Sequence, residues 1–246
     1  MKILSKASVA NPPTAILIDL DNTLYAYDPA HEAGLQQVAA KISTKFGISE
    51  AQFTDLFEQA RKTVKNRLVD NPSARSRLLY FQEMLEQMGL GASVISALDF
   101  EQTYWRSFLQ AARPFADVSG FFDEARLRGI PLVLITNLNT RTQLQKLVYM
   151  GFDDSFSFVV TSEQIGVEKP HAAIFEAAIE RVKCAPASVW MIGDDIDADM
   201  TGAKQALGCT TILKTNGTKP KADAWQNVDV TFDAFGDLSA LLQDNE

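Results

Sequence analysis

Apolar residues along this chain alternate between two spacings. Ala15, Ile16, Leu17 and Ile18 form an unbroken run too short for a typical helix, which predicts a buried strand ending at Asp19. The same texture returns at residues 131–135, 158–160, 189–192 and 210–213, and each run predicts a further strand. Between them the apolar positions recur at helical spacing. This predicts helices at 118–128, at 140–150, from Lys169-Pro170 through Ile174, Phe175, Ala178 and Ile179, and at 197–207. Strand and helix in alternation predict a doubly wound parallel sheet, an α/β architecture that binds ligands beyond the carboxyl ends of its strands.

From residue 27 to residue 111 the strand texture is absent. Leu35, Val38, Ala39, Ile42 and Phe46 keep helical spacing up to Gly47; Phe53, Leu56, Phe57, Ala60, Val64 and Leu68 follow behind the cap Ser49. After a break at Pro72, a third stripe of Leu78, Phe81, Leu85 and Met88 ends at Gly89, and Tyr104, Trp105, Phe108 and Leu109 mark a fourth. Four amphipathic helices with short connections predict a small bundle of their own. The expected organisation is therefore a discontinuous α/β domain, residues 1–26 and 112–246, interrupted by an all-helical domain, residues 27–111.

Composition narrows the function more than the fold. With 246 residues, 46% of them hydrophobic, the chain is long enough to bury a sizeable core. A net charge of −8 argues against nucleic acid as a general partner, because phosphate backbones are held by Lys and Arg. The first residues lack the apolar core of a secretory signal, and no apolar run reaches membrane-spanning length, so a cytoplasmic protein with no membrane partner is expected. Cys184 and Cys209 lie far apart without metal-ligand spacing.

The chemistry gathers at the strand ends. In a continuing strand, Asp19 and Asp21 point to the same side, and two like charges about 5 Å apart repel by on the order of 3 kcal/mol at an effective dielectric near 20. Either a cation binds there or one acid keeps its proton; taken alone, the pair equally fits a capped turn. Two other predicted strands end in Thr136-Asn137 and in Asp194-Asp195, with Asp199 one turn on and Lys169 at a loop-to-helix junction. Five acids, a hydroxyl and an amine converging on one sheet edge point to a reactive centre.

Those residues resemble the motifs of the haloacid dehalogenase superfamily: Asp19-Leu20-Asp21-Asn22-Thr23-Leu24, then Thr136-Asn137 after an apolar strand, then Lys169, then Gly193-Asp194-Asp195-Ile196-Asp197-Ala198-Asp199. Order and spacing agree over the whole chain. The helical insertion resembles the cap of one large subgroup. The resemblance implies a Rossmann-like core and hydrolysis of a small phosphate monoester, a sugar phosphate or nucleoside monophosphate. In that scheme Asp19 is the nucleophile that forms an aspartyl-phosphate. Asp21 is the general acid and base, expected to hold a proton through burial among other carboxylates. The implied cofactor is Mg²⁺, with Asp19, the Asp21 backbone carbonyl and Asp194 as ligands and with Asp195 and Asp199 behind them, orienting waters or holding Lys169. Thr136, the Asn137 amide and Lys169 are expected to bind the phosphoryl oxygens.

The acid at position 21 disfavours a dehalogenase, which needs no proton donor there, and Lys62 and Lys65 read better as solvated residues than as a phosphonate hydrolase's Schiff-base lysine. A sugar phosphomutase keeps the same acid pair and stands as the alternative. A receiver-like phosphoacceptor switch is more distant, because its acids are adjacent and it lacks the helical insertion. Substrate recognition is expected in the helical domain, where Arg61, Lys62, Lys65, Arg67, Arg75 and Arg77 are opposed only by Asp70. They form either a solvated basic face or, through Arg67, Arg75 or Arg77, a site for an anionic substrate group; His31 is a further candidate at the entrance.

Overall fold

The structure is a computed structural model that describes residues 1–69, 71–217 and 222–243; Asp70 lies outside the described residues. In chain order the elements are β1 (Lys2–Ile3), β2 (Ala15–Ile18), α1 (Tyr27–Phe46), α2 (Glu50–Arg67), α3 (Arg77–Gln87) and α4 (Val94–Ala111). They continue as α5 (Val118–Leu127), β3 (Leu132–Thr136), α6 (Thr140–Met150), β4 (Phe158–Thr161), α7 (Ser162–Ile165) and α8 (Ala172–Val182). The last are β5 (Val189–Gly193), α9 (Gly202–Leu207), β6 (Thr210–Lys214), β7 (Val230–Phe232) and α10 (Phe235–Gln243). The chain divides into two compact units, one of Met1–Ala26 with Arg113–Glu246 and one of Tyr27–Ala112.

The first unit is built on a sheet of order β1-β7-β6-β5-β2-β3-β4. β2 pairs in parallel with β3 on one side, Ile16 opposite Leu132, and with β5 on the other, Ile16 opposite Trp190. The strand order reverses beside β2, and in open α/β sheets such a reversal opens a crevice at the carboxyl edge. All residues of β2, β3, β5 and β6 are buried, which is why they read as continuous apolar runs. One face of these strands carries Ala15, Leu17, Val133, Ile135, Val189 and Met191, packed in one cluster with Ile174, Phe175 and Ala178 of α8 and with Ala203 and Leu207 of α9. The alternate residues Ile16, Ile18, Leu134, Trp190 and Ile192 are also buried and point the other way.

The expected wholly parallel sheet fails at one edge: β1 pairs antiparallel with β7, Lys2 opposite Thr231. Two- and three-residue strands are too short for any periodicity to show. The helix expected at 197–207 opens instead with a wide π-type turn, Ile196–Thr201, in which the Met200 amide donates to the Asp195 carbonyl at 3.2 Å, before α9 continues. The helix expected from Lys169-Pro170 begins at Ala172, behind His171, whose Nδ1 accepts from the Ala173 amide; the Lys169-Pro170 peptide is cis.

The second unit is a four-helix bundle. Ser49 caps α2 with a reciprocal capping box to Gln52, and the bundle core is largely aromatic, with Phe57, Phe81, Phe100, Tyr104 and Phe108 in contact. Gly34 of α1 lets the Tyr104 ring approach; an added Cβ there would lie 2.8 Å from it. The start of α1 and the end of α4 meet through Tyr27 and Phe108, ring centres 5.3 Å apart. Within the sheet unit, the chain departs and returns along adjacent paths: Phe115 donates its amide to the Leu24 carbonyl at 2.8 Å, and Tyr25 bridges Pro114. Among the described residues no helix is long and apolar enough to cross a membrane.

Candidate active site

The carboxyl ends of β2, β3 and β5 lie side by side, and the polar residues that follow them form one cluster. Asp19 extends the pairing of β2 by one bond, its amide donating to the Ile192 carbonyl at 2.9 Å. The chain then turns: Asn22 sits in the left-handed region at φ 62°, which Asn tolerates better than most residues, and the Thr23 hydroxyl folds back onto Asp19 Oδ2 at 3.2 Å and Asp194 Oδ1 at 3.4 Å. Thr23 thus links two strand ends.

Lys169 crosses the centre. Its buried ammonium donates to Asp19 Oδ1 and Asp199 Oδ1, both at 2.6 Å, and to the Ile135 carbonyl at 2.9 Å. Asn137 fixes the loop that carries it: the Asn137 side chain accepts from the Lys169 amide at 2.8 Å and donates to the Lys169 carbonyl at 3.0 Å. Asp199, 1% exposed, also accepts from the Asp195 amide at 3.1 Å and lies against the bare α-carbon of Gly193. The Asp195 carboxylate caps the π-type turn, accepting from the amides of Asp197 and Ala198, while the acids that hold Lys169 are Asp19 and Asp199.

Asp21 has partners that the sequence does not indicate. The strand ends at Ile18, and the chain turns at Asn22, just after Asp21. Both Asp21 oxygens accept from Lys146 of α6, at 2.6 and 2.8 Å, and Oδ1 also accepts from the Tyr25 hydroxyl. This carboxylate is held by an amine and a hydroxyl, and its charge also adds to the upward push on Asp19. Among the described residues, Asp19, Asp194 and Asp199 form a group of three acids with oxygens within 4.8 Å of one another.

Electrostatics mark that triad. Burial, and after it the charge of Asp199, pushes Asp19 up to about 7 against the opposing pull of Lys169. Burial and then the charges of Asp19 and Asp199 push Asp194 up to about 8. Burial also raises Asp199, and Lys169 is held above its ordinary value, despite the cost of its burial, by Asp19 and Asp199. Three carboxylates face one ammonium, a deficit that a divalent cation with hard oxygen ligands would remove. The donor set therefore fits such an ion.

Two polar residues of this region escaped sequence reasoning. Gln143 and Lys146 lie on the inner face of α6 with Leu147 and Met150, and both are fully buried. Gln143 Nε2 donates to the Thr136 hydroxyl at 2.5 Å, leaving the proton of that hydroxyl for another acceptor, while Gln143 Oε1 is buried without a partner. The signal was present: polar residues at core positions of an amphipathic helix.

The candidates of the helical unit separate. Arg67 is 58% exposed and pairs with Glu83 at 3.0 Å, a solvated contact, and Arg75 is exposed. Arg77 is half-buried: it donates to the Arg75 carbonyl and the Tyr27 hydroxyl, and its guanidinium lies 5.4 to 5.7 Å from the ring centres of Tyr80, Tyr104 and Trp105. His31 shares a 2.7 Å hydrogen bond with the Tyr104 hydroxyl; burial, then the charge of Arg77, lowers it to about 4, so the ring is neutral near pH 7.

The model of the haloacid dehalogenase-like hydrolases matches residues 13–206, a span that contains every motif of the sheet unit. The chain belongs to this family. Among curated relatives, a ribulose-1,5-bisphosphate 5-phosphatase of Halopiger xanaduensis is 31% identical over 93% of this chain and 99% of its own. A glyceraldehyde 3-phosphate phosphatase of Methanothermobacter thermautotrophicus is 27% identical over 93% and 98%. A 2-haloacid dehalogenase of Pseudomonas syringae superposes with a TM-score of 0.75 at 20% identity, covering 94% of this chain and 98% of its own. That last likeness concerns the fold, which this family shares across different reactions.

Proposed function

We propose that this haloacid dehalogenase-like hydrolase cleaves the phosphate monoester of a small sugar or sugar-like metabolite in two steps through Asp19. The observation that carries the reading is the buried Asp19 carboxylate, fixed at a strand end by Lys169 and Thr23 and backed by a triad short of positive charge. Substrate class is supported by the two curated phosphatases, whose likeness runs nearly end to end.

In the first step a carboxylate oxygen of Asp19 attacks phosphorus and the ester oxygen departs, leaving an acyl phosphate on Asp19. Asp21 gives a proton to the departing alkoxide. In the second step Asp21 takes a proton from water, whose oxygen attacks the same phosphorus; orthophosphate leaves and the Asp19 carboxylate returns. Lys169 offsets the charge of Asp19 as an anionic substrate approaches, and the Thr136 hydroxyl, whose oxygen accepts from Gln143, is left to donate to a phosphoryl oxygen. Asp19 and Asp194, with the Asp21 carbonyl, are the groups we assign to Mg²⁺, with Asp199 behind them. When bound, Mg²⁺ supplies the positive charge that lets two anions meet.

The test is release of orthophosphate from a panel of triose, pentose and nucleoside monophosphates, with Mg²⁺ or with EDTA. Release is expected to need the metal and to vanish in Asp19→Asn, which remains folded. Turnover near wild type in that variant, or release indifferent to EDTA, would overturn the reading.

A further inference from the structure

Lys146 is the fully buried amine that the two steps above leave unused. It stands one turn after Gln143 on the inner face of α6, its ammonium 5.8 Å from the Tyr25 ring centre and within 2.6 and 2.8 Å of the two oxygens of Asp21. We propose that Lys146 is a positioning residue: it clasps both oxygens of Asp21 and, with the Tyr25 hydroxyl, fixes the orientation in which that group exchanges its proton with the leaving oxygen. The proposal rests on the reading of Asp21 as the acid and base.

Three observations support a functional clasp over a purely structural ion pair. A buried pair contributes little net stability compared with well-packed apolar residues of the same volume, so stability alone is a poor reason to bury an ammonium on a helix face shared with Gln143, Leu147 and Met150. The pair is lopsided: Lys146 is 0% exposed, whereas Asp21 is 28% exposed, so the amine supports from behind a carboxylate that remains reachable. One turn earlier the same helix does the equivalent for Thr136, through Gln143. Two groups assigned to the reaction are thus held from one helix face. Without the clasp, the Asp21 carboxylate can rotate about its terminal bond, and general acid catalysis depends on that alignment.

The discriminating measurement compares two esters by kcat/KM, which reports on events up to the first departure of the leaving group. One is the alkyl sugar phosphate that the wild type turns over fastest; the other is dinitrophenyl phosphate, whose leaving group departs without a proton. In Lys146→Met the alkyl ester is expected to lose about a hundredfold, within the range supplied by general acid catalysis, while the aryl ester changes little. Lys146→Arg, which keeps a cation and several donors, is expected to recover part of the loss. Equal losses on the two esters, or no loss, overturn the proposal. Should the Met variant fail to fold, Lys146→Gln and Lys146→Arg carry the same comparison. Asp21→Asn separates the two readings: if it also lowers both esters equally, the role assigned to Asp21 fails, whereas selective loss in Asp21→Asn without selective loss at position 146 removes only the clasp.

Discussion

Replacing Lys169 with Met keeps the apolar stem and removes the ammonium, which isolates the electrostatic contribution of the central lysine. In the wild type the amine donates to Asp19 Oδ1 and Asp199 Oδ1, each at 2.6 Å, and to the Ile135 carbonyl, with its side chain 2% exposed. Breaking a buried ion pair by deleting one partner costs about 3–5 kcal/mol, because the surviving charge stays buried. Here two carboxylates survive, so the upper end of that range is expected near pH 8. The acids also have an escape route. Asp19 already stands at about 7, with Lys169 the largest influence holding it down, and loss of the lysine moves it higher. A carboxyl whose folded pKa lies above its unfolded value binds more protons when folded, so its unfavourable contribution appears as pH rises from about 4 through the folded pKa. The penalty of Lys169→Met should therefore grow with pH. Urea unfolding in EDTA, followed by circular dichroism, should show a loss near pH 5.5 less than half that near pH 8. An equal loss at the two values would refute the charge argument and leave Lys169 as a packing residue.

Two further outcomes follow from the same cluster. In Gly193→Ala the new Cβ would lie 2.2 Å from Asp199 Oδ2, so Asp199 has to move and its bond to Lys169 with it; a stability loss of about 1–3 kcal/mol in urea unfolding and a fall in kcat on the order of a hundredfold are expected, and unchanged kcat would show that this contact is dispensable. Mg²⁺ should raise the melting temperature of EDTA-treated protein more near pH 8.5 than near pH 6, since Asp19 and Asp194, held up to about 7 and 8, have to release protons to bind it; identical shifts would contradict these carboxylates as ligands.

The strands that position this cluster were legible because a parallel strand covered on both faces must be apolar throughout, and β2, β3 and β5 show that texture without interruption. Helix ends were legible where the chain announces them, at Gly151 after α6 and at Ser49 before α2. What stayed hidden depends on partners distant in sequence. Lys146 and Asp21 are 125 residues apart, and nothing local to either indicates the other. The basic residues of the helical unit look alike as letters, yet Arg67 is solvated while Arg77 lies beside rings from α3 and α4, and only the assembled bundle distinguishes them. The shift from an expected helix to a π-type turn after Asp195 is of the same kind, since there Asp199 is held by Lys169.

The adjacent departure and return of the chain at Leu24 and Phe115 has a kinetic meaning. β2 and β3 are neighbours in the sheet although the whole helical unit separates them in sequence. In an unfolded chain, closing so long a loop carries an entropy penalty that grows with the logarithm of its length, and contacts of this kind slow folding. The helical unit begins and ends with helices that meet through Tyr27 and Phe108, so once it has formed, the residues flanking it are already near one another. An insertion that lengthens the sequence between two sheet neighbours thereby shortens the distance they must search.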